Sequence, residues 1–178
     1  MRILIFILIV SLCVSSCKKD IYTVTKAMGN YNVVITYKKD MPIRSISYDK
    51  VTKKKMFDFY YNVNGDMIYA NIYYNNGKIF NTLKLDSLPN RYACKIYFQN
   101  GILAGEGNVI RKYYKKHYKK SLKIGPWLYY KEDGSLYAYA EFAIHKKTEK
   151  EVLIDKKIIP KEVRIIKKDG KLINVSKI

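Results

Sequence analysis

An all-β fold built from repeated hairpins is what this sequence predicts, and three observations predict it. The chain carries 18 Tyr against a single Trp, and Ile is far more frequent than Ala or Leu. That composition favours strands over long helices. Asn or Asp stands directly before Gly at Asn64-Gly65, Asn76-Gly77, Asn100-Gly101, Asp133-Gly134 and Asp169-Gly170, between β-prone runs, and these dipeptides are strong hairpin signals. A fixed spacing surrounds them. Tyr61, Tyr73, Tyr97, Tyr130 and Ile166 lie four residues before the glycine, and Met67, Ile79, Leu103, Leu136 and Leu172 lie two residues after it.

That spacing selects the turn. In a two-residue Asn-Gly loop the −4 and +2 positions would point to opposite faces. In a three-residue loop closed by a left-handed glycine and a G1 bulge they lie directly opposite each other. The sequence therefore predicts cross-strand contacts Tyr61/Met67, Tyr73/Ile79, Tyr97/Leu103 and Tyr130/Leu136, each contributing roughly 0.2–1 kcal/mol. Gly77, Gly101 and Gly134 are expected at positive φ. Tyr37, Asp40, Met41 and Ile43 form a degenerate copy with Met in the glycine slot, where Pro42 holds Met41 extended, so that turn must differ. Successive glycines fall 12, 24, 33 and 36 residues apart. The doubled first interval points to a turn without glycine, which Pro89-Asn90 can supply.

The first sixteen residues stand apart from this pattern. Arg2 supplies a positive charge, Ile3 to Val10 is an unbroken apolar run, and Val14-Ser15-Ser16 leads into Cys17. A charged start, a short apolar core and small residues at a break describe a signal peptide, too short to cross a bilayer core of ~30 Å. The Val-Ser-Ser-Cys ending resembles the lipobox of bacterial lipoproteins, in which the cysteine is lipidated and becomes the first residue of the mature protein. Cys13 fits less well, because bulky Leu12 would occupy a position that needs a small side chain. Three parts are expected: the signal at 1–16, a lipidated N-terminus and polar tether at 17–30, and a hairpin-repeat domain at 31–178. The resemblance implies attachment to the cell envelope of a diderm bacterium, and Lys18 after the cysteine favours the outer membrane.

A second resemblance covers the middle of the chain. Gly125-Pro126-Trp127-Leu128-Tyr129-Tyr130-Lys131-Glu132-Asp133-Gly134-Ser135-Leu136 resembles the bacterial variant of the MORN repeat, roughly G-x-W-x-x-Y-x-x-x-G-x-L. Asn100 to Gly107 is similar to the tail of a preceding unit, with Gly105-Glu106-Gly107 as its Gly/Glu-rich strand. The resemblance implies antiparallel hairpins stacked into one long twisted sheet and no catalysis, and some proteins of that kind are antitoxin-like. In the strand after Gly134, Ala138, Ala140, Phe142 and Ile144 are expected on one face and Tyr137, Tyr139 and Glu141 on the other.

Net charge is +19, from 34 Lys and Arg against 15 Asp and Glu. Such a charge suits phosphates, but only five of the basic residues are Arg, the usual base reader, and an exported protein meets little nucleic acid. No nucleic-acid partner is expected. Codon bias toward Lys, Ile, Asn and Tyr explains the charge in one reading; attraction to an anionic surface explains it in the other. With Cys13 in the signal and Cys17 acylated, Cys94 is left alone and is expected to be a buried, inert thiol.

Catalytic chemistry finds little support. His117 and His145 are both flanked by lysines and have no Cys partner for zinc. No nucleophile elbow, phosphate loop, dinucleotide fingerprint or calcium loop occurs. No cofactor or metal is expected, and Glu106 between two glycines reads as a solvated strand residue rather than a general base.

Two features suit binding. Residues 111–123 hold seven basic side chains (Arg111, Lys112, Lys115, Lys116, Lys119, Lys120 and Lys123) and three tyrosines, with no acid. Lys reaching phosphate beside Tyr at an interface fits anionic headgroups, whereas a solvated hairpin loop accounts for the same residues without a ligand. Trp127, Tyr129, Tyr137 and Tyr139 are candidate interface aromatics, though Trp127 also suits the core of its repeat. The expected role is a lipid-anchored, non-catalytic binding module whose partner is another envelope protein or anionic headgroups. The alternative is an immunity protein that neutralises a secreted toxin.

Overall fold

Short β-prone runs punctuated by turn residues produce an antiparallel meander in which each strand hydrogen-bonds to the next in chain order. The structure, a computed structural model, describes residues 20–174 apart from 87, 89, 115–117, 147, 161, 162 and 164. No helix occurs among the described residues. One sheet takes its strands in sequence: β1 (Ile21–Met28), β2 (Tyr31–Lys38), β3 (Met41–Asp49), β4 (Lys55–Tyr61), β5 (Met67–Tyr73), β6 (Ile79–Leu85), β7 (Arg91–Tyr97), β8 (Leu103–Tyr114), β9 (Tyr118–Tyr130), β10 (Leu136–Ile144) and β11 (Glu151–Ile158). A separate hairpin of β12 (Ile165–Lys168) and β13 (Lys171–Asn174) meets the start of β10 through a bridge between Ser135 and Ile166.

All four predicted cross-strand pairs are present: Tyr61↔Met67, Tyr73↔Ile79, Tyr97↔Leu103 and Tyr130↔Leu136. Their turns are alike. In the last, Lys131 N donates to Ser135 O at 2.8 Å and Gly134 N to Lys131 O at 2.9 Å. This is a type I turn closed by a left-handed glycine, with φ of 79° at Gly65, 83° at Gly77, 94° at Gly101 and 78° at Gly134. The residue before the glycine has its own function. Asn76, Asn100 and Asp133 each accept, through Oδ1, the backbone N–H two residues on. Short polar side chains stabilise turns by this contact. Replacing Gly134 by Val is expected to cost more than the ~1 kcal/mol ordinarily lost with a glycine's freedom, because a β-branched residue resists positive φ. A denaturation midpoint unchanged from wild type would refute that role.

The fifth hairpin differs. Lys168 pairs with Lys171 and Ile166 with Ile173, so Leu172 is not the partner of Ile166. Asp169 at 50° and Gly170 at 79° both take positive φ, which closes a two-residue loop and matches Ile to Ile across the strands. Lys39-Asp40 makes a similar tight turn before Pro42, as the proline required, with φ of 49° and 62°. Asn90 takes positive φ (59°) in the glycine-free turn between β6 and β7. The tether also needs correction. Residues 21–28, expected within it, form β1, paired along its length with β2 through a Gly29-Asn30 turn. Alternating Tyr22 and Val24 with threonines supplies the strand period, and Gly-Asn supplies the reversal.

The main core cluster lies on one face. Reading across the register, Phe59, Ala70, Leu83, Cys94, Gly107, Trp127 and Ala140 form a row through β4 to β10. No second sheet or helix covers this row among the described residues, yet Ala70, Trp127 and Ala140 are almost completely buried. Long side chains laid over the face take the place of a second layer. Tyr92 Oη on β7 donates to Met67 O at the start of β5 (2.9 Å), and Arg111 Nη1 on β8 lies 2.7 Å from Met67 Sδ. Strands sit ~4.8 Å apart, so these contacts bridge two and three strand spacings across the apolar face.

Candidate binding surfaces

Trp127 is fixed by a strand that leaves it room. Gly107 lies opposite it, the indole packs over that backbone, and Trp127 Nε1 donates to Asn108 O at 3.0 Å. Tyr129 stacks beside it with ring centroids 6.0 Å apart. The ammonium of Lys123 sits 5.1 Å from the Trp127 ring, 5.3 Å from Tyr129 and 5.0 Å from Phe142, and donates to Tyr129 Oη at 2.9 Å. Each such contact contributes about 0.5–1 kcal/mol at an exposed site and more when shielded. Lys123 is thus the lid of an aromatic cage and part of the fold.

This geometry divides the interface aromatics. Trp127 is buried and opposes Ala140, so it belongs to the core rather than to an interface. Tyr129 opposes Ala138 and shares Trp127's face, whereas Tyr139 opposes Leu128 on the other face, where its hydroxyl donates to Glu141. Tyr137 occupies the bulge after Leu136 and stays exposed. Within β10, Ala138 and Ala140 are buried as expected of their face, whereas Tyr137, at the bulge, lines a groove of that same face. A common tyrosine face does not exist, because the bulge decides which β9 residues align with it.

Among the described residues, open apolar grooves lie on the core face. One, of about 710 Å³, is lined by Tyr31, Val33, Ile35, Tyr37, Phe59 and Tyr61 near the β1 edge. Another, of about 440 Å³, lies between Phe98, Tyr129, Tyr137, Phe142, Leu153 and Lys156 at the β11 end. Concave apolar walls with few polar groups suit small apolar ligands or side chains of a partner.

The basic segment is a β-ribbon rather than a loop. Strand pairing continues through Lys112↔Lys120, Tyr113↔Lys119 and Tyr114↔Tyr118, beyond the last β7 contact at Arg91↔Ile110 and the last β10 contact at Gly125. Of the seven basic residues, Arg111 and Lys123 fold back over the core face and Lys120 is exposed. Lys115 and Lys116 lie outside the described residues, as do the side chains of Lys112 and Lys119; Cys17 and His117 lie outside them too.

The charges that the sequence did not single out are on the opposite face. Asp58 is 2 % exposed and accepts Arg44 Nε at 2.9 Å and Nη2 at 2.8 Å, with Lys55 Nζ at 3.3 Å. Burial alone would raise this carboxyl, but the Arg44 hydrogen bonds and charge, helped by Lys55, hold it below the usual carboxylate range. Glu106 is not a solvated strand residue. It accepts the Tyr130 hydroxyl at 2.7 Å and pairs with Lys167 of β12, and together they lower its carboxyl against the opposing effect of burial. A carboxylate tied up in this way is a structural clasp for the β12–β13 hairpin. Cys94 is a buried free thiol, pushed up to about 11 by its burial, which suits the inert role expected of it. His145 is a turn residue whose Nδ1 accepts Thr148 N at 3.2 Å. Among the described residues no three His, Cys, Asp or Glu side chains converge to hold a metal.

What the fold and these surfaces define, among the described residues, is a hairpin-repeat protein with one long antiparallel sheet, a separate β12–β13 hairpin and apolar grooves on one face. No protein-family model matches the chain, and no curated protein matches it.

Proposed function

We propose that this chain is a cell-envelope binding module, held to a bacterial membrane, in first place the outer membrane, by lipid on Cys17 and without catalytic activity of its own. The observation that carries the reading is the ribbon of β8 and β9, which extends past its neighbours while the sequence concentrates positive charge there without a carboxylate. A lipid anchor keeps the domain at a membrane, so a weak anionic-surface contact gains from high effective concentration. Anionic headgroups then attract each Lys or Arg near the surface by about 1 kcal/mol. The apolar grooves provide room for a second partner. The sequence resemblance to MORN-variant repeats supports the non-catalytic part of the reading.

The chain lacking its first seventeen residues is expected to bind phosphatidylglycerol vesicles in low salt and to release them near 1 M salt, where screening shortens to ~3 Å. Changing Lys115, Lys116, Lys119 and Lys120 together to Gln should abolish co-sedimentation. The same four-charge loss at Lys53, Lys54, Lys156 and Lys157 should leave most of it. Equal loss from both sets would show that bulk charge alone acts and would overturn the role of the ribbon.

A further inference from the structure

We propose that two copies of this chain join edge to edge through β1, in an antiparallel pairing centred on Val24. The inference rests on the sheet alone and is independent of the anchor and the ribbon. Among the described residues β1 ends the sheet and hydrogen-bonds to β2 alone, in a register that runs without a bulge from Ile21↔Lys38 to Met28↔Tyr31. Lys39 N donates to Asp20 O at 3.0 Å, which fixes the phase of the ladder. Antiparallel bonding alternates along a strand. Tyr22, Val24, Lys26 and Met28 therefore direct their backbone groups at β2, and Ile21, Thr23, Thr25 and Ala27 direct theirs outward.

The two edges of the sheet are not alike. At β11 a bulge between Glu141 and Phe142 breaks the register, and Lys156-Lys157 follows it. Bulges and edge lysines are devices that blunt a strand against pairing. β1 has no bulge, no proline and one lysine, and its terminal Ile21 and Met28 are exposed. It is the edge left regular.

Side-chain complementarity chooses the occupant and the register. With Val24 on the two-fold axis, Thr23 of one copy faces Thr25 of the other and Ile21 faces Ala27. Every outward backbone group of these four residues then meets a partner. Tyr22 opposes Lys26, so the two lysines face phenol rings, and no like charges stand opposite each other. Sliding the pairing by two residues either way leaves Ile21 or Ala27 without a partner inside the strand. The two-fold runs perpendicular to the sheet and keeps both core faces on one side. The groove lined by Met28, Tyr31, Val33 and Tyr37 at this edge is then continued by its symmetry mate.

The test uses the full chain purified in detergent. Sedimentation should give a protein mass of two chains for the wild type. Thr23→Pro removes an outward N–H without touching the β1–β2 bonds and should return the mass to one chain. Thr23→Lys with Thr25→Lys, which places lysines opposite each other, should do the same without a backbone change. Val24→Cys should form an intermolecular disulfide readily under oxidation. Thr25→Cys should not, since its equivalents lie off the axis and beyond the ~7 Å disulfide reach. A wild-type mass of one chain at all concentrations would overturn the proposal. So would a dimer that both threonine variants leave intact and that Val24→Cys fails to cross-link.

Discussion

Gly107→Ala is expected to remove a large part of this protein's stability. A Cβ at that position would lie 2.5 Å from Trp127 Cδ2 and 2.6 Å from Cε2 and Cγ. Those atoms belong to a rigid ring that is buried and hydrogen-bonded, so the ring cannot give by a few tenths of an ångström. Overpacking ordinarily costs ~1–3 kcal/mol, and expulsion of the indole would approach the ~3–5 kcal/mol of a Trp→Ala change. A typical domain has only about 5–15 kcal/mol to lose. Gly105→Ala supplies the comparison. Its Cβ would meet Leu128 O and Tyr129 Cδ1 at 3.3 Å, and the cost should be clearly smaller. Denaturant titration of the two variants checks the order. A Gly107→Ala protein as stable as Gly105→Ala would mean that the indole does not lie on that strand.

Arg44→Met should have the second-largest effect, and it should exceed that of Asp58→Leu. The pair is asymmetric in exposure: the Asp58 side chain is 2 % exposed and that of Arg44 38 %. Removing the guanidinium leaves a buried carboxylate with only Lys55 beside it, and breaking a buried pair in this way costs ~3–5 kcal/mol. Removing the carboxylate leaves two cations that can turn to water. The double variant should therefore recover stability relative to Arg44→Met alone. The pH dependence follows from the lowered Asp58 carboxyl. Its contribution is fully present above the ordinary carboxyl value of about 3.9 and is lost as pH falls through the lower folded value. Without Arg44 the opposing effect of burial dominates, and acid unfolding should begin at a higher pH. Equal destabilisation by both single variants would contradict the account of which partner is buried.

Local chemistry was legible in the sequence and long-range packing was not. The spacing from Tyr73 to Ile79 across Asn76-Gly77 determined a turn type, a bulge and a cross-strand pair, because a left-handed glycine with an Asx contact is a local requirement. The same argument does not extend to Asp169-Gly170, where Asp tolerates positive φ and a two-residue loop becomes available. β1 was missed because Lys18-Lys19-Asp20 reads as tether, although Tyr22, Val24 and Gly29-Asn30 carry a strand and a turn. The faces of Tyr129 and Tyr139 depended on how a bulge aligns β9 with β10, which neither strand reveals alone. Lys123 looked like one more surface charge, and only its register beside Trp127, Tyr129 and Phe142 makes it the lid of a cage. Asp58 lies between Phe57 and Phe59 in an ordinary alternation, so nothing local announces that Arg44 and Lys55 meet there.

The central claim, that this sheet works at a membrane, depends on Cys17. Cells expressing the chain and fed an alkyne analogue of palmitate are expected to give a labelled protein that fractionates with the membrane. Cys17→Ala should be unlabelled and retain its uncleaved signal. A Cys17→Ala protein labelled as strongly as the wild type would contradict the claim.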